Sequence, residues 1–189
     1  CYLVCNDGWE RADDVDVFRD KADCNNVAHC HEDVLREEFL DPILKFRARI
    51  RKKFPVVHMY TIHGMGNKHR SLCGDPMLDV VVGYGAGSPD SHTCDLWRKN
   101  CFINLLEKSS LTVYEGRRGG PMSGWARNNM NQLFRKWYYD DHVQSMQIEI
   151  IHELRETEDV SKMTADCLAE AMSDMLSRTG FRDAINKQY

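Results

Sequence analysis

"PVVHMYTIHGMGN", residues 55–67, decides how the chain is read. Pro55 opens it, Gly64 stands near its end, and the apolar and β-branched residues between them spell a central strand. Three more runs of the same kind follow: "LDVVVGYGAG" at 78–87, which ends in glycines, "LTVYEG" at 111–116 and "VQSMQIEII" at 143–151. Helical patterns separate them. From Glu32 to Phe54 an apolar face recurs at Ile43, Phe46, Ile50 and Phe54. Asp41-Pro42 interrupts that stretch and predicts a kink or a second helix starting there, because Asp caps well and Pro fits a first helical position. Further helices are expected from Ser91 to about Lys108 and from Trp125 to about Tyr139. In the last helix Val160, Met163, Cys167, Ala171 and Met175 share a face, Asp159 caps the start and Gly180 follows the end. Strands alternating with helices predict an α/β fold: a single three-layer domain over 1–189 with a mostly parallel or mixed central sheet. At the start, "CYLVC" suits a short buried strand, and "NDGWERADD" reads as a turn and a polar loop.

The 189 residues hold 25 Lys and Arg against 29 Asp and Glu, a formal charge of −4; 42% are apolar and 29% charged. This is the balance of an ordinary globular protein, with no broad basic field for nucleic acid. "RARIRKKF" at 47–54 reads as a charged helix end that complements the helix dipole, in preference to a nucleic-acid patch. The apolar runs fall far short of the ~18 residues of a membrane span, so a transmembrane protein is not expected. No basic leader followed by an apolar stretch is visible, and Cys1 in place of Met leads us to expect a trimmed or partial chain. The eight cysteines form no CxxC pair, and several sit in apolar patterns as small hydrophobes, which predicts free thiols in a cytoplasmic protein.

Several residues stand out chemically. His63 lies at the carboxyl end of a predicted strand, where α/β sheets bind ligands, and suits a metal ligand or a satisfied structural histidine. Glu149 sits in "MQIEII", a strand otherwise fit for burial. Either it faces a site, where partial burial tunes a general base, or Gln147 and Glu149 alternate out to water. "GYGAG" at 83–87 is a strand-end turn in preference to a phosphate loop, since no helix follows directly and no acidic residue closes the fingerprint. "RRGGP" places Arg117 and Arg118 beside flexible backbone, suited to gripping a carboxylate or to an exposed basic turn. "HCHE" puts His29 and Glu32 at a metal-like spacing. No G-x-S-x-G motif supports a serine hydrolase.

The ordered series "TIHGM", "DVVVGYGAGS", "GRRGGPMSGW" and "MQIEI…LR" resembles the N-formylglutamate amidohydrolases, relatives of the zinc carboxypeptidases and aspartoacylases, over roughly residues 55–156. The resemblance implies a phosphorylase/hydrolase-like fold and a zinc-dependent hydrolase acting on a linear amide in a small N-acyl amino acid. His63 matches a zinc ligand, Glu149 the glutamate that activates water, and Gly119 and Gly120 the turn lining the substrate pocket. "RDKADCNN" resembles the family's Arg-x-x-x-Asp-x-Asn-Arg segment. Arg19 would then polarise the scissile carbonyl and Asn25 contact substrate, while Asn26 stands where the family has Arg. Arg118 would bind a substrate carboxylate. The family's first two metal ligands precede that segment, yet "CYLVCNDGWERADD" offers no His: either the true N-terminus is missing, or the site is degenerate, or ligands come from elsewhere, such as His29 and Glu32. The expectation is a zinc enzyme with a small-molecule substrate and neither nucleic-acid nor membrane partners. A second reading is an inactive relative that binds a small acidic ligand.

Overall fold

The computed structural model describes Tyr2 and residues 35–117, 122–125, 129–136 and 142–186. Within them four strands form one sheet in the order β1-β4-β2-β3, with β1 at Val57–Met65, β2 at Val80–Gly83, β3 at Val113–Glu115 and β4 at Val143–Ile151. β1 and β4 run parallel, as do β2 and β3, while β2 and β4 run antiparallel. The sheet is therefore mixed, one of the two expected forms.

The helices follow from where their apolar residues fall. A π-helical turn, Leu35–Leu40, leads into α1, Asp41–Arg51, so a new helix does begin at Asp41-Pro42. Pro42 sits in its first turn, where its missing N–H costs nothing, and Arg49 and Arg51 occupy the last turn, favourable to the dipole. α2 is Lys68–Cys73, and Gly74 ends it in the left-handed conformation that glycine adopts without strain. α3 runs Leu96–Lys108. It starts five residues later than Ser91, because Pro89–Ser91 forms a separate 3-10 turn and Asp95 is extended. α4 covers Met130–Lys136, and α5 covers Glu158–Asn186.

α5 departs from its expected form three times. Asp159 does not cap the start: it lies inside the first turn, and Thr157 Oγ1 accepts from the Val160 N–H at 3.4 Å. Gly180 does not end the helix, which continues to Asn186. The buried stripe is Thr164, Leu168, Ala171, Met175 and Thr179, while Met163 is 59% exposed. Two threonines occupy core positions because their hydroxyls bond back to carbonyls one turn earlier, Val160 and Leu176, which removes the cost of burying them.

Three layers result. On one face of the sheet, Val80, Val82, Met146, Ile148 and Ile150 pack against Phe102, Leu105 and Leu106 of α3 and Leu168, Ala171 and Met175 of α5. On the other face there are two separate apolar clusters. Val57, Val143 and Met59 meet Leu40, Ile43, Leu44 and Ile50 of the first helical segment and Met130, Leu133 and Phe134 of α4. At the far end, Met65, Val81 and Ile151 pack with Leu78, Tyr114, Met122 and Leu154. Between these clusters lies the candidate site. No helix among the described residues is long and apolar enough to cross a membrane.

Candidate active site

The period of two in β1 and β4 determines what lies between the two clusters. Odd-numbered residues share one face. On β1 these are Thr61 and His63; on β4 they are Gln147 and Glu149, and the parallel register sets Thr61 beside Gln147 and His63 beside Glu149. The two chemically conspicuous residues of the sequence are thus neighbours, with His63 Nδ1 4.0 Å from Glu149 Oε1. Glu149 is only 8% exposed and Gln147 only 6%. The reading in which they alternate out to water is therefore corrected: all nine residues of β4 are buried.

A carboxylate in that position needs hydrogen bonds. Gln147 Nε2 donates to Glu149 Oε1 at 2.6 Å. Gln147 Oε1 in turn accepts from Asn129 Nδ2 at 2.6 Å, and Asn131 Nδ2 donates to Thr61 Oγ1 at 3.0 Å. Asn129 stands just before α4 and Asn131 lies in its first turn, so the start of this helix supplies a row of amides facing the strand polar groups. Gln132 fixes the same turn from the other side by donating to the carbonyls of Ser91 and Gly124, at 2.7 and 2.9 Å.

Glycines bring the surrounding backbone close. In the antiparallel pair of β2 and β4, Gly83 lies beside Gln147. A Cβ on Gly83 would strike the Met122 carbonyl, so glycine is what lets segment 122–124 lie against the sheet beside the polar row. Gly85, at φ +76°, donates its N–H to the Ser123 carbonyl at 2.8 Å. "GYGAG" is thus a packing turn, and only a three-residue 3-10 turn follows it before the chain reaches α3. Ser123 Oγ, Asn131 Oδ1 and Gln132 Oε1 are buried and have no hydrogen-bond partner among the described residues.

A second polar cluster lies at the edge of the opposite face. Tyr84 of the glycine turn donates to Glu115 Oε1 at 2.9 Å, and Lys99 Nζ lies 2.7 Å from the same oxygen, with the ammonium 4.8 Å from the Tyr84 ring centre. Burial, and then the bond to Glu115, push the Tyr84 hydroxyl up to about 12. Burial works to raise Glu115, but the bonds from Lys99 and Tyr84 outweigh it and hold the carboxyl below its usual range.

Of the residues proposed from sequence, His63 and Glu149 come together. Arg19, Asn25, Asn26, Arg118, Gly119 and Gly120 lie outside the described residues, as do His29 and Glu32. Arg117 is exposed, with its guanidinium 5.8 Å from the Tyr114 ring centre. Cys73, Cys94, Cys101 and Cys167 are thiols outside any disulfide. Sequence reasoning missed Asn129, Asn131 and Gln132; the signal was present in "RNNMNQLF", four amide side chains interleaved with residues that pack in the core. The described residues contain no group of three His, Cys, Asp or Glu able to hold a metal.

No protein-family model matches the chain, and no curated protein matches it. Among solved structures it is similar to the N-formylglutamate amidohydrolase from Ralstonia eutropha JMP134, with a TM-score of 0.53 at 14% sequence identity. The similarity covers 80% of this chain and 54% of that one, so this chain spans about half the length of its structural neighbour. At that identity the likeness is one of fold: a mixed-sheet α/β domain of hydrolase-like architecture.

Proposed function

We propose that this protein is an amidohydrolase that cleaves a linear amide in a small N-acyl amino acid of the N-formylglutamate type. The single observation that carries the reading is the pairing of His63 with a buried, amide-bonded Glu149 across the β1–β4 ladder. The shared architecture with an N-formylglutamate amidohydrolase supports it.

In this mechanism Glu149 takes a proton from the attacking water as the water oxygen bonds to the acyl carbon. It then returns that proton to the nitrogen as the carbon–nitrogen bond breaks, so that acid and amine leave with all atoms balanced. Arg19 steadies the developing oxyanion. Asn25, Asn26, Arg118, Gly119 and Gly120 contact substrate in the manner the family resemblance implies.

The reading includes one zinc ion with His63 as a ligand. The described residues supply that single imidazole, whereas a catalytic zinc takes about three protein ligands. They do not make up the set, so none of the proton transfers above is routed through the metal. Bound zinc would supply polarisation of water and carbonyl. His29 and Glu32 are the further ligands the sequence offers. Reduced thiols on the four described cysteines fit the cytoplasmic location proposed here.

The test is hydrolysis of N-formylglutamate and related N-acyl amino acids with added zinc, together with metal per chain for the parent and for His63→Ala. The account expects turnover by the parent and lower metal occupancy in the variant. No turnover with zinc present would favour an inactive relative that binds a small acidic ligand. Equal metal occupancy would remove His63 from the ligand set.

A further inference from the structure

The amides beside Glu149 form a chain with only one permitted direction. The N–H of Asn131 is a donor and nothing else, and it bonds Asn129 Oδ1 at 3.0 Å. That contact fixes the Asn129 amide: its oxygen faces the helix, and its NH2 must face Gln147 Oε1, at 2.6 Å. Gln147 is then fixed as well, with its oxygen towards Asn129 and its NH2 towards Glu149 Oε1, also at 2.6 Å. The chain ends on a carboxylate, which only accepts. Reversing either amide would set donor against donor at Asn131 or acceptor against acceptor at Glu149.

The helix end of the chain is anchored. The Asn129 carbonyl accepts from the N–H groups of Gln132 and Leu133, at 3.0 and 3.2 Å, and the Gln132 side chain ties the same turn to Ser91 and Gly124. The carboxylate end is buried, where hydrogen bonds to a charge are strong and polarise one another. Here the polarity of a helix start is carried through two amides to one oxygen, Oε1, the oxygen 4.0 Å from His63 Nδ1.

We infer that Asn129 is a positioning residue: acting through Gln147, it holds the Glu149 carboxylate in the orientation that faces His63. The catalytic meaning of this relay rests on the function proposed above; its existence does not. Asn129→Asp separates the two. Asp keeps the helix cap, because Asn and Asp cap about equally well. It presents an acceptor to Gln147, however, so that the introduced carboxylate and that of Glu149 compete for one NH2.

The experiment is a set of urea unfolding curves for Asn129→Asp alone, for Glu149→Gln alone and for both together. The relay predicts that Asn129→Asp shifts the unfolding equilibrium in the parent background and that Glu149→Gln rescues it, a non-additivity of about tenfold, within the range for coupled residues. Placing Gln147→Met in all three, as a non-polar chain of similar length, abolishes the coupling. Additive effects, or coupling that survives Gln147→Met, would overturn the relay, because Asn129 would then be a simple cap or the two carboxylates would sense each other through space. In kinetics, Asn129→Asp lowers kcat by about 10- to 100-fold, the usual cost of losing an orienting partner, with KM little changed. If the parent hydrolyses nothing, the proposed function falls, while the unfolding curves still decide the relay.

Discussion

On the face of the sheet that meets α3 and α5, the strand residues at the centre are Val80, Val82, Met146, Ile148 and Ile150. On the other face, the corresponding middle is Thr61, His63, Gln147 and Glu149, held between two apolar clusters. β4 contributes to both sets, and both of its faces are buried. Alternation of polar and apolar residues in a strand ordinarily means that one face meets water. Here it means that one face is a core and the other encloses a polar row that has to be satisfied from within. The charges near the core face are paired with one another, Lys99 with Glu115 at 2.7 Å and Arg98 with Asp95 at 3.0 Å. The carboxylate of the polar row accepts a hydrogen bond from a neutral amide and lies near an imidazole.

The contrast can be broken at its strongest point first. Phe102 is fully buried in the core face. Phe102→Ala removes its ring and leaves a cavity, and should destabilise by about 3–5 kcal/mol in urea unfolding. A loss below about 1 kcal/mol would show that α3 does not hold this face.

The smallest effect concerns the edge pair. The folded carboxyl of Glu115 is lowered, so its contribution to stability is complete above the ordinary carboxylate range and is lost as pH falls through it. The parent should be more stable than Glu115→Gln at neutral pH, and the gap between their urea midpoints should narrow from about pH 5 to pH 3. A gap that is independent of pH would remove the charge from the account.

Much of the fold was legible because it rests on strand periodicity. The four runs of apolar residues became the four strands, and the start of α1 at Asp41-Pro42 followed from what Pro does in a first helical turn, although Leu40 and not Asp41 holds the cap position and no side chain caps it. The limits of α3 and α5 were not legible. Pro89 opens a separate turn ahead of α3, and one glycine does not stop a helix when the penalty is about 1 kcal/mol. His63 was visible as a strand-end residue. Whether Glu149 faced a site or water could not be decided within β4 alone, because that depends on Asn129, 20 positions earlier, and on a helix packed over the strand. Side-chain amides in a first helical turn look like solvated cap residues until something buried is found opposite them.

The most direct test of the central claim is the turnover of N-formylglutamate by the parent and by Glu149→Gln under identical conditions with zinc. The substitution keeps the shape of the side chain and removes its ability to take a proton. The account predicts that ligand binding survives and that kcat falls by about 10²- to 10⁴-fold, the usual contribution of a general base. An active parent matched by an equally active Glu149→Gln would contradict it.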